Sequence, residues 1–139
     1  MYTVEDWIAD LRSGKYKQGP SRLRTITDEF CCLGVAAHNM STGILNEMRN
    51  TYHYDGSAHL LSPRLAELLG LVHTDGTFDW RTLPNEIADK VVALPRNGGS
   101  SGPFYSALSS SLTILNDYGV PFALIADIIE ARPKGLFKS

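Results

Sequence analysis

Glycine and proline recur at short intervals along this chain, and they set where each regular segment starts and ends. Their effect is clearest in the C-terminal third. Gly119 is expected to end a helix over residues 110–118. Pro121 begins a second helix, which runs to Ala131. Two helices separated by so short a turn predict a C-terminal helical hairpin.

The same signals, together with hydrophobic periodicity, predict the other elements. Helices are expected over residues 4–13, 30–40, 63–69 and 84–94. Short strands are expected over residues 22–27 and 51–54 and on either side of a turn at Asp75-Gly76, with loops at 15–20 and 95–103. The sequence therefore predicts an α+β fold. We expect a single compact, helix-rich domain over residues 1–139, with a small antiparallel sheet and the C-terminal helical hairpin.

Composition limits the class of protein. The chain has 139 residues, 43% of them apolar and 20% charged, which suits one globular core. No apolar run approaches the roughly 20 residues that span a bilayer, and the N-terminus lacks the pattern of a signal peptide. These features predict a cytoplasmic protein without a membrane partner. The adjacent Cys31 and Cys32 are expected to stay reduced, and neither a metal site nor a cofactor is predicted.

Positive charge is concentrated in one segment of an otherwise acidic chain. Residues 12–27 contain five basic residues and no acidic one, whereas the remainder has eight basic and 15 acidic residues, a balance of −7. Such a concentration attracts an anionic partner more strongly than evenly spread charge does. Nucleic-acid binders are usually basic overall, so we expect a small anion rather than DNA.

The residue types in this segment fit a phosphate-bearing ligand. Gly14 and Gly19 permit tight turns, and on a strand Arg22 and Arg24 would present both guanidinium groups on one face. Tyr16 offers a ring for stacking on a base. A solvated loop that only aids solubility is the alternative. The predicted ligand-binding residues are Arg12, Lys15, Tyr16, Lys17, Gln18, Arg22, Arg24, Asn116 and Asp117.

Cys31 and Cys32 are the alternative candidates for chemistry. At the start of a helix a thiol has a lowered pKa and can act as a nucleophile, with Gln18 and one of His38, His53 or His59 completing a hydrolase set. Cysteine is also among the most buried residue types, and the apolar neighbours of this pair favour core packing.

Two further features leave structural and functional interpretations open. Asn116 and Asp117 precede the turn of the C-terminal hairpin, where they either cap the next helix or hydrogen-bond a ligand, and the structural role is favoured. His53 lies between Tyr52 and Tyr54, so this segment either lines a pocket for a base or sugar or is an exposed strand. The hairpin has helix-turn-helix spacing, but the acidic residues of its second helix would repel DNA phosphates.

Several of these segments resemble a widespread group of small uncharacterised proteins from tailed bacteriophages and prophages. The resemblance covers about half of the chain, at its two ends. It is carried by Trp7, LRSGKYKQG (11–19), LR (23–24), FCCLGV (30–35) and LNDYGVPFALIADIIE (115–130), whereas residues 41–111 depart from the group. It implies a protein of the infected bacterial cytoplasm and no particular enzymatic activity.

Three hypotheses follow. The first is a phage accessory protein that sequesters a phosphate-bearing small molecule, such as a nucleotide immune signal of host defence. The second is a cysteine-dependent or cation-assisted hydrolase of such a molecule. The third is an inhibitor that binds a host protein through the apolar C-terminal hairpin. Assembly into a homo-oligomer is left open.

Overall fold

The structure is a computed structural model that describes residues 1–94 and 110–139. Helices and short strands alternate along the described chain, and the predicted helix-rich α+β fold is confirmed. The helices are α1 (Val4–Arg12), α2 (Cys32–Met40), α3 (Pro63–Leu69), α4 (Asn85–Val92), α5 (Leu112–Asp117) and α6 (Phe122–Ala131). The strands are β1 (Lys17–Gln18), β2 (Glu29–Phe30), β3 (Gly43–Asn46), β4 (Thr51–Tyr54), β5 (Thr77–Phe78) and β6 (Ser110–Ser111). A 3-10 helix covers Trp80–Thr82.

Helix ends follow the local chemistry of the sequence. Thr3 caps α1 by accepting from the backbone N–H of Asp6, whose carboxylate accepts in turn from the Thr3 N–H. Ser62 caps α3, and Gly70 ends it in the left-handed conformation with φ 82°. Because these signals are local, the predicted positions of α1 and α3 agree with the structure to within a residue.

The strands form three separate pairs rather than one sheet. β3 and β4 form an antiparallel hairpin, and β5 pairs antiparallel with β6, whereas β1 and β2 are parallel. The strand predicted over residues 22–27 is wrong, because the chain reverses there. Thr25 N–H donates to the Glu29 carbonyl at 2.8 Å and Asp28 has a φ of 61°, which leaves one isolated bridge between Arg24 and Phe30. The predicted loop at 95–103 lies outside the described residues.

The core is centred on α2 and the C-terminal hairpin. The side chain of Trp7 is fully buried, and its indole N–H donates to the Cys32 carbonyl at 2.9 Å, which fixes α1 against α2. α1 also packs along α6, whose Ile125, Ile128 and Ile129 are completely inaccessible to solvent. No helix in the described residues has the length and apolar character needed to cross a membrane.

Candidate functional site

The cations predicted to share one anion lie on different parts of the fold. Arg12 contacts α6, where its guanidinium is 2.7 Å from Asp127 and 3.1 Å from Glu130. This contact holds the pKa of Glu130 below its usual value. Lys17 pairs with Glu29 at 3.3 Å. Arg12 and Lys17 therefore each have a carboxylate partner of their own, and the exposed Lys15 lies 6.0 Å from the ring of Tyr16.

Gln18, Asn116 and Asp117 form a network that attaches the N-terminal loop to α5. Gln18 donates from Nε2 to Asn116 Oδ1 at 2.9 Å, and Asn116 donates from Nδ2 to the Gly19 carbonyl at 3.0 Å. Asp117 accepts from the backbone N–H of Ser21 at 2.8 Å. Gln18, Asn116 and Asp117 line a cavity of about 250 Å³, and none of the described residues around it has a cationic side chain. The contacts support the structural interpretation of Asn116 and Asp117 and place no cation beside them.

Arg22 and Arg24 lie side by side along β4. Arg22 donates to Thr51 Oγ1 at 3.0 Å and to the Asn50 carbonyl at 3.3 Å. Arg24 lies one step further along the strand, with its guanidinium 4.0 Å from the centre of the Tyr52 ring. The main chain at Arg22–Arg24 is held between the N-cap of α2 and the segment that follows β4. The Arg22 carbonyl accepts from the Cys31 N–H at 3.2 Å, and the Leu23 N–H donates to the Ala58 carbonyl at 2.8 Å.

The two arginines differ in how their charge is balanced. Arg24 donates from Nε and Nη2 to the same oxygen of Asp28, at 2.9 and 2.7 Å. Arg22 is half-buried and has no carboxylate within ion-pairing distance among the residues that the structure describes. Its two hydrogen-bond acceptors, the Asn50 carbonyl and Thr51 Oγ1, are neutral, whereas a charge removed from water is normally paired with an opposite charge. Arg22 is thus the strongest candidate here for contact with an anion.

His38, near the C-terminal end of α2, lies beside Arg24 and Tyr54. Its Nδ1 lies 2.8 Å from the hydroxyl of the buried Tyr54, and the same hydroxyl accepts from Arg24 Nη1 at 3.4 Å. Arg24 donates to the oxygen of the Tyr54 hydroxyl, so the hydrogen of that hydroxyl can be donated to His38 Nδ1. When Nδ1 accepts this hydrogen bond, a neutral imidazole carries its own hydrogen on Nε2. Partial burial and then the nearby charge of Arg24 lower the pKa of His38, which favours that neutral form.

Aromatic rings hold the histidine in place. The Phe30 ring lies 5.1 Å from that of His38 in an edge-to-face arrangement, and Tyr16 contacts both at 5.3 and 6.1 Å. We call the surface formed by Arg22, Arg24, His38 and Tyr52 the arginine–aromatic face, and the buried Tyr54 hydroxyl links Arg24 to His38 within it. It combines guanidinium donors, an imidazole N–H and aromatic rings, which is the chemistry that a phosphorylated ligand with a planar ring requires.

The cysteines do not support a nucleophilic role. Cys31 and Cys32 are 1% and 0% exposed. Cys31 caps α2, its Sγ accepting from the Gly34 N–H at 3.3 Å, while Cys32 Sγ lies 3.6 Å from the Leu112 carbonyl. Burial raises the pKa of Cys31 to about 11 and that of Cys32 well above its usual value. Burial and the raised pKa values favour the core-packing interpretation of these residues over the catalytic one.

We expect neither thiol to react in the native protein. At pH 8 a thiol with a pKa near 11 is only about one-thousandth thiolate, and both sulfur atoms are shielded from reagent. A chromogenic disulfide reagent should titrate no thiol rapidly in buffer and both thiols in concentrated guanidinium chloride. Rapid titration of either thiol in buffer would contradict this prediction and support the cysteine-dependent hydrolase hypothesis.

Sequence reasoning missed part of this site. His38 was considered only as a base for the cysteines, and Asp28 was not recognised as the partner of Arg24. The i, i+4 spacing of Arg24 and Asp28 was a usable signal, whereas contact between His38 and Tyr54 depends on packing of the hairpin against α2. Within the described chain, no group of three or more histidine, cysteine, aspartate or glutamate side chains is placed to hold a metal ion.

These observations define a helix-rich α+β protein with two arginines, a histidine and a tyrosine on one face. Residues 3–133 match the family model described as a domain of unknown function (DUF8296), and the chain belongs to this family. No curated protein and no solved structure matches it. The family description assigns no activity, so the functional conclusion depends on the geometry of the site.

Proposed function

We propose that the protein binds and sequesters a small phosphate-bearing molecule on the arginine–aromatic face. The observation that carries this proposal is the half-buried guanidinium of Arg22, which lacks a carboxylate partner among the described residues and lies beside Arg24 on β4. In the cytoplasm of a phage-infected bacterium, which the resemblance to phage proteins implies, a nucleotide immune signal is the ligand class that best fits this chemistry.

Both arginines retain donors for a ligand. Arg22 uses only Nη1 in its contacts with Asn50 and Thr51, which leaves the N–H groups of Nε and Nη2. Arg24 binds one oxygen of Asp28 and the Tyr54 hydroxyl, which leaves one hydrogen on each terminal nitrogen. Guanidinium groups match phosphate oxygens in pairs, so these free donors suit a phosphate group.

The arginine–aromatic face and the residues beside it offer contacts for the remainder of a nucleotide. The half-buried Tyr52 has one side of its ring against the Arg24 guanidinium, and the half-buried Tyr16 lies beside the face, against Phe30 and His38. Rings at the margin of a phosphate site can stack on a base. The Nε2–H of a neutral His38 adds a donor without adding charge. Simple sequestration requires no nucleophile, and the buried cysteines supply none.

Binding to a host protein through the C-terminal hairpin has less support. Most apolar side chains of α6 are buried, and the helix packs against α1. Its more exposed Asp127 and Glu130 are already paired with Arg12. The second helix of the hairpin, α6, thus offers little free apolar surface to a partner.

Calorimetric titration with a panel of linear and cyclic nucleotides tests the proposal. We expect Arg22→Ala and Arg24→Ala each to weaken binding of the best ligand by about tenfold or more, because each removes charge-assisted hydrogen bonds to phosphate. Recovery of intact ligand after heat denaturation of the complex would distinguish sequestration from hydrolysis.

Arg81→Ala is the matched control for Arg24→Ala. Arg81 contacts Asp79 through Nε and Nη2, much as Arg24 contacts Asp28, so each substitution removes one arginine and leaves one aspartate unpaired. We expect Arg81→Ala to bind normally. An Arg22→Ala, Arg24→Ala double variant that binds with native affinity would exclude the arginine–aromatic face as the site.

A further inference from the structure

A second cationic surface lies in a cleft formed by the chain that follows α6. The cleft has a volume of about 660 Å³, and its lining includes Val72, Arg132, Lys134, Phe137 and Lys138. Three of these five residues are cations. None of the described residues that line the cleft has a carboxylate side chain. We call it the C-terminal cleft, and none of the five residues belongs to the arginine–aromatic face.

The backbone around the cleft is held in place by the core. Leu136 is completely buried, and its carbonyl accepts from the Val72 N–H at 3.0 Å. Lys138 N–H donates to the Gly70 carbonyl at 2.8 Å. The lysine side chains are exposed, but they extend from a fixed main chain. The points at which these side chains leave the main chain are therefore set by the fold.

Arg132 occupies an unusual backbone position in the cleft. It ends α6 in the left-handed conformation, with φ 49° and ψ 61°, where glycine is strongly preferred. An arginine here has a conformational cost that glycine would avoid, and such positions concentrate at functional sites. The guanidinium lies 4.9 Å from the centre of the Phe137 ring. Its one carboxylate contact in the described structure is with the exposed Glu5 at 3.5 Å.

The charge of the cleft is incompletely balanced. Lys134 and Lys138 have no carboxylate within 4.0 Å among the residues described, although the charge of Lys134 contributes to the lowered pKa of Asp79, which is paired with Arg81. The Glu5 contact balances the charge of Arg132 alone. Clefts lined by one sign of charge concentrate ligands of the opposite sign. We propose that the C-terminal cleft binds a small polyanion, that is, a molecule with two or more phosphate or carboxylate groups.

Titration of the intact protein with pyrophosphate and with citrate, at an ionic strength matched with sodium chloride, tests this proposal. We expect Lys134→Ala with Lys138→Ala to weaken binding of the better probe by about tenfold or more, because two cationic contacts are lost. Lys90→Ala on α4 is the control and should have native affinity. Undetectable binding by the unmodified protein, or native affinity in the double lysine variant, would overturn the proposal.

The two proposed sites are separable by their variants. Binding of pyrophosphate or citrate that is lost in Arg22→Ala with Arg24→Ala but kept in the double lysine variant would assign the probe to the arginine–aromatic face and overturn the proposal for the cleft. Arg132→Gly provides a second test. Glycine suits the left-handed conformation, so the melting temperature should not fall while polyanion affinity decreases. A lower melting temperature with native affinity would show that Arg132 serves packing alone and would contradict the assignment.

Discussion

Replacing Gly34 by alanine is expected to prevent the chain from reaching its native fold. A Cβ atom at this position of α2 would lie 1.7 Å from the carbonyl oxygen of Leu23 and 2.5 Å from its carbonyl carbon. Both atoms belong to the main chain, so no side-chain rotation relieves the overlap. We expect a loss of more than about 4 kcal/mol in the free energy of unfolding, a large part of the stability of a typical domain.

The segment that would have to move is fixed on both sides. Leu23 is fully buried and its N–H donates to the Ala58 carbonyl at 2.8 Å, while the Arg22 carbonyl accepts from the Cys31 N–H at 3.2 Å. Displacing Leu23 breaks these contacts and shifts Arg22 and Arg24, its two neighbours. Any folded fraction of the variant should therefore lose ligand binding as well.

Gly56→Ala is the matched control for this substitution. Gly56 has a φ of 81°, and a Cβ placed there would meet no atom within 4 Å. Its cost should be limited to left-handed backbone strain, about 1 kcal/mol. Chemical denaturation of both variants provides the comparison. Equal stability of the two would show that the close approach of α2 to Leu23 does not determine the fold.

Local signals explain why much of the fold is predictable from the sequence. Helix caps act within a few residues of the chain, as Thr3, Ser62 and Gly70 show. Hydrophobic periodicity and these capping signals therefore locate α1 and α3. The segment over residues 22–27 has β-favouring composition, but the turn at Asp28 reverses the chain, so that Thr25 bonds to Glu29 instead of a neighbouring strand. β3 was missed because its pairing with β4 depends on the hairpin register rather than on a strong alternating pattern.

The candidate site was less predictable because charge balance depends on contacts between distant residues. Arg12 is paired with Glu130, which is 118 positions away, and no local pattern links them. Composition locates the basic segment but does not show which of its cations lack a carboxylate partner and can contact a ligand. Arg22 and Arg24 lie side by side even though the predicted strand is absent, and the partners that set them apart, Thr51 and Tyr52, come from the β3–β4 hairpin.

Replacing Asn116 by alanine is expected to have the second largest effect on stability. Asn116 is 3% exposed, and its Oδ1 accepts from Gln18 Nε2 and from the backbone N–H of the buried Cys32, at 2.9 and 3.2 Å. Its Nδ2 donates to the carbonyl of the buried Gly19. Truncation leaves these groups without their partner, and each buried polar group left unpaired costs about 1–3 kcal/mol. We expect a total loss of about 3–5 kcal/mol.

Asn116→Asp separates the two halves of this network. The substitution keeps an acceptor for Gln18 and Cys32 but places a carboxylate oxygen against the Gly19 carbonyl, where a donor is needed. Burial raises the pKa of the introduced carboxyl above its value in the unfolded chain, so the variant gains stability as the pH falls. Its loss of stability relative to the unmodified protein should be smaller at about pH 4.5 than at about pH 7, because the protonated carboxyl can donate to the Gly19 carbonyl.

Asn85→Ala, at an exposed position on α4, is the control and should change stability by less than about 0.5 kcal/mol. Denaturant titration at both pH values measures all three variants, and an Asn116→Ala protein as stable as Asn85→Ala would contradict a structural role for the network.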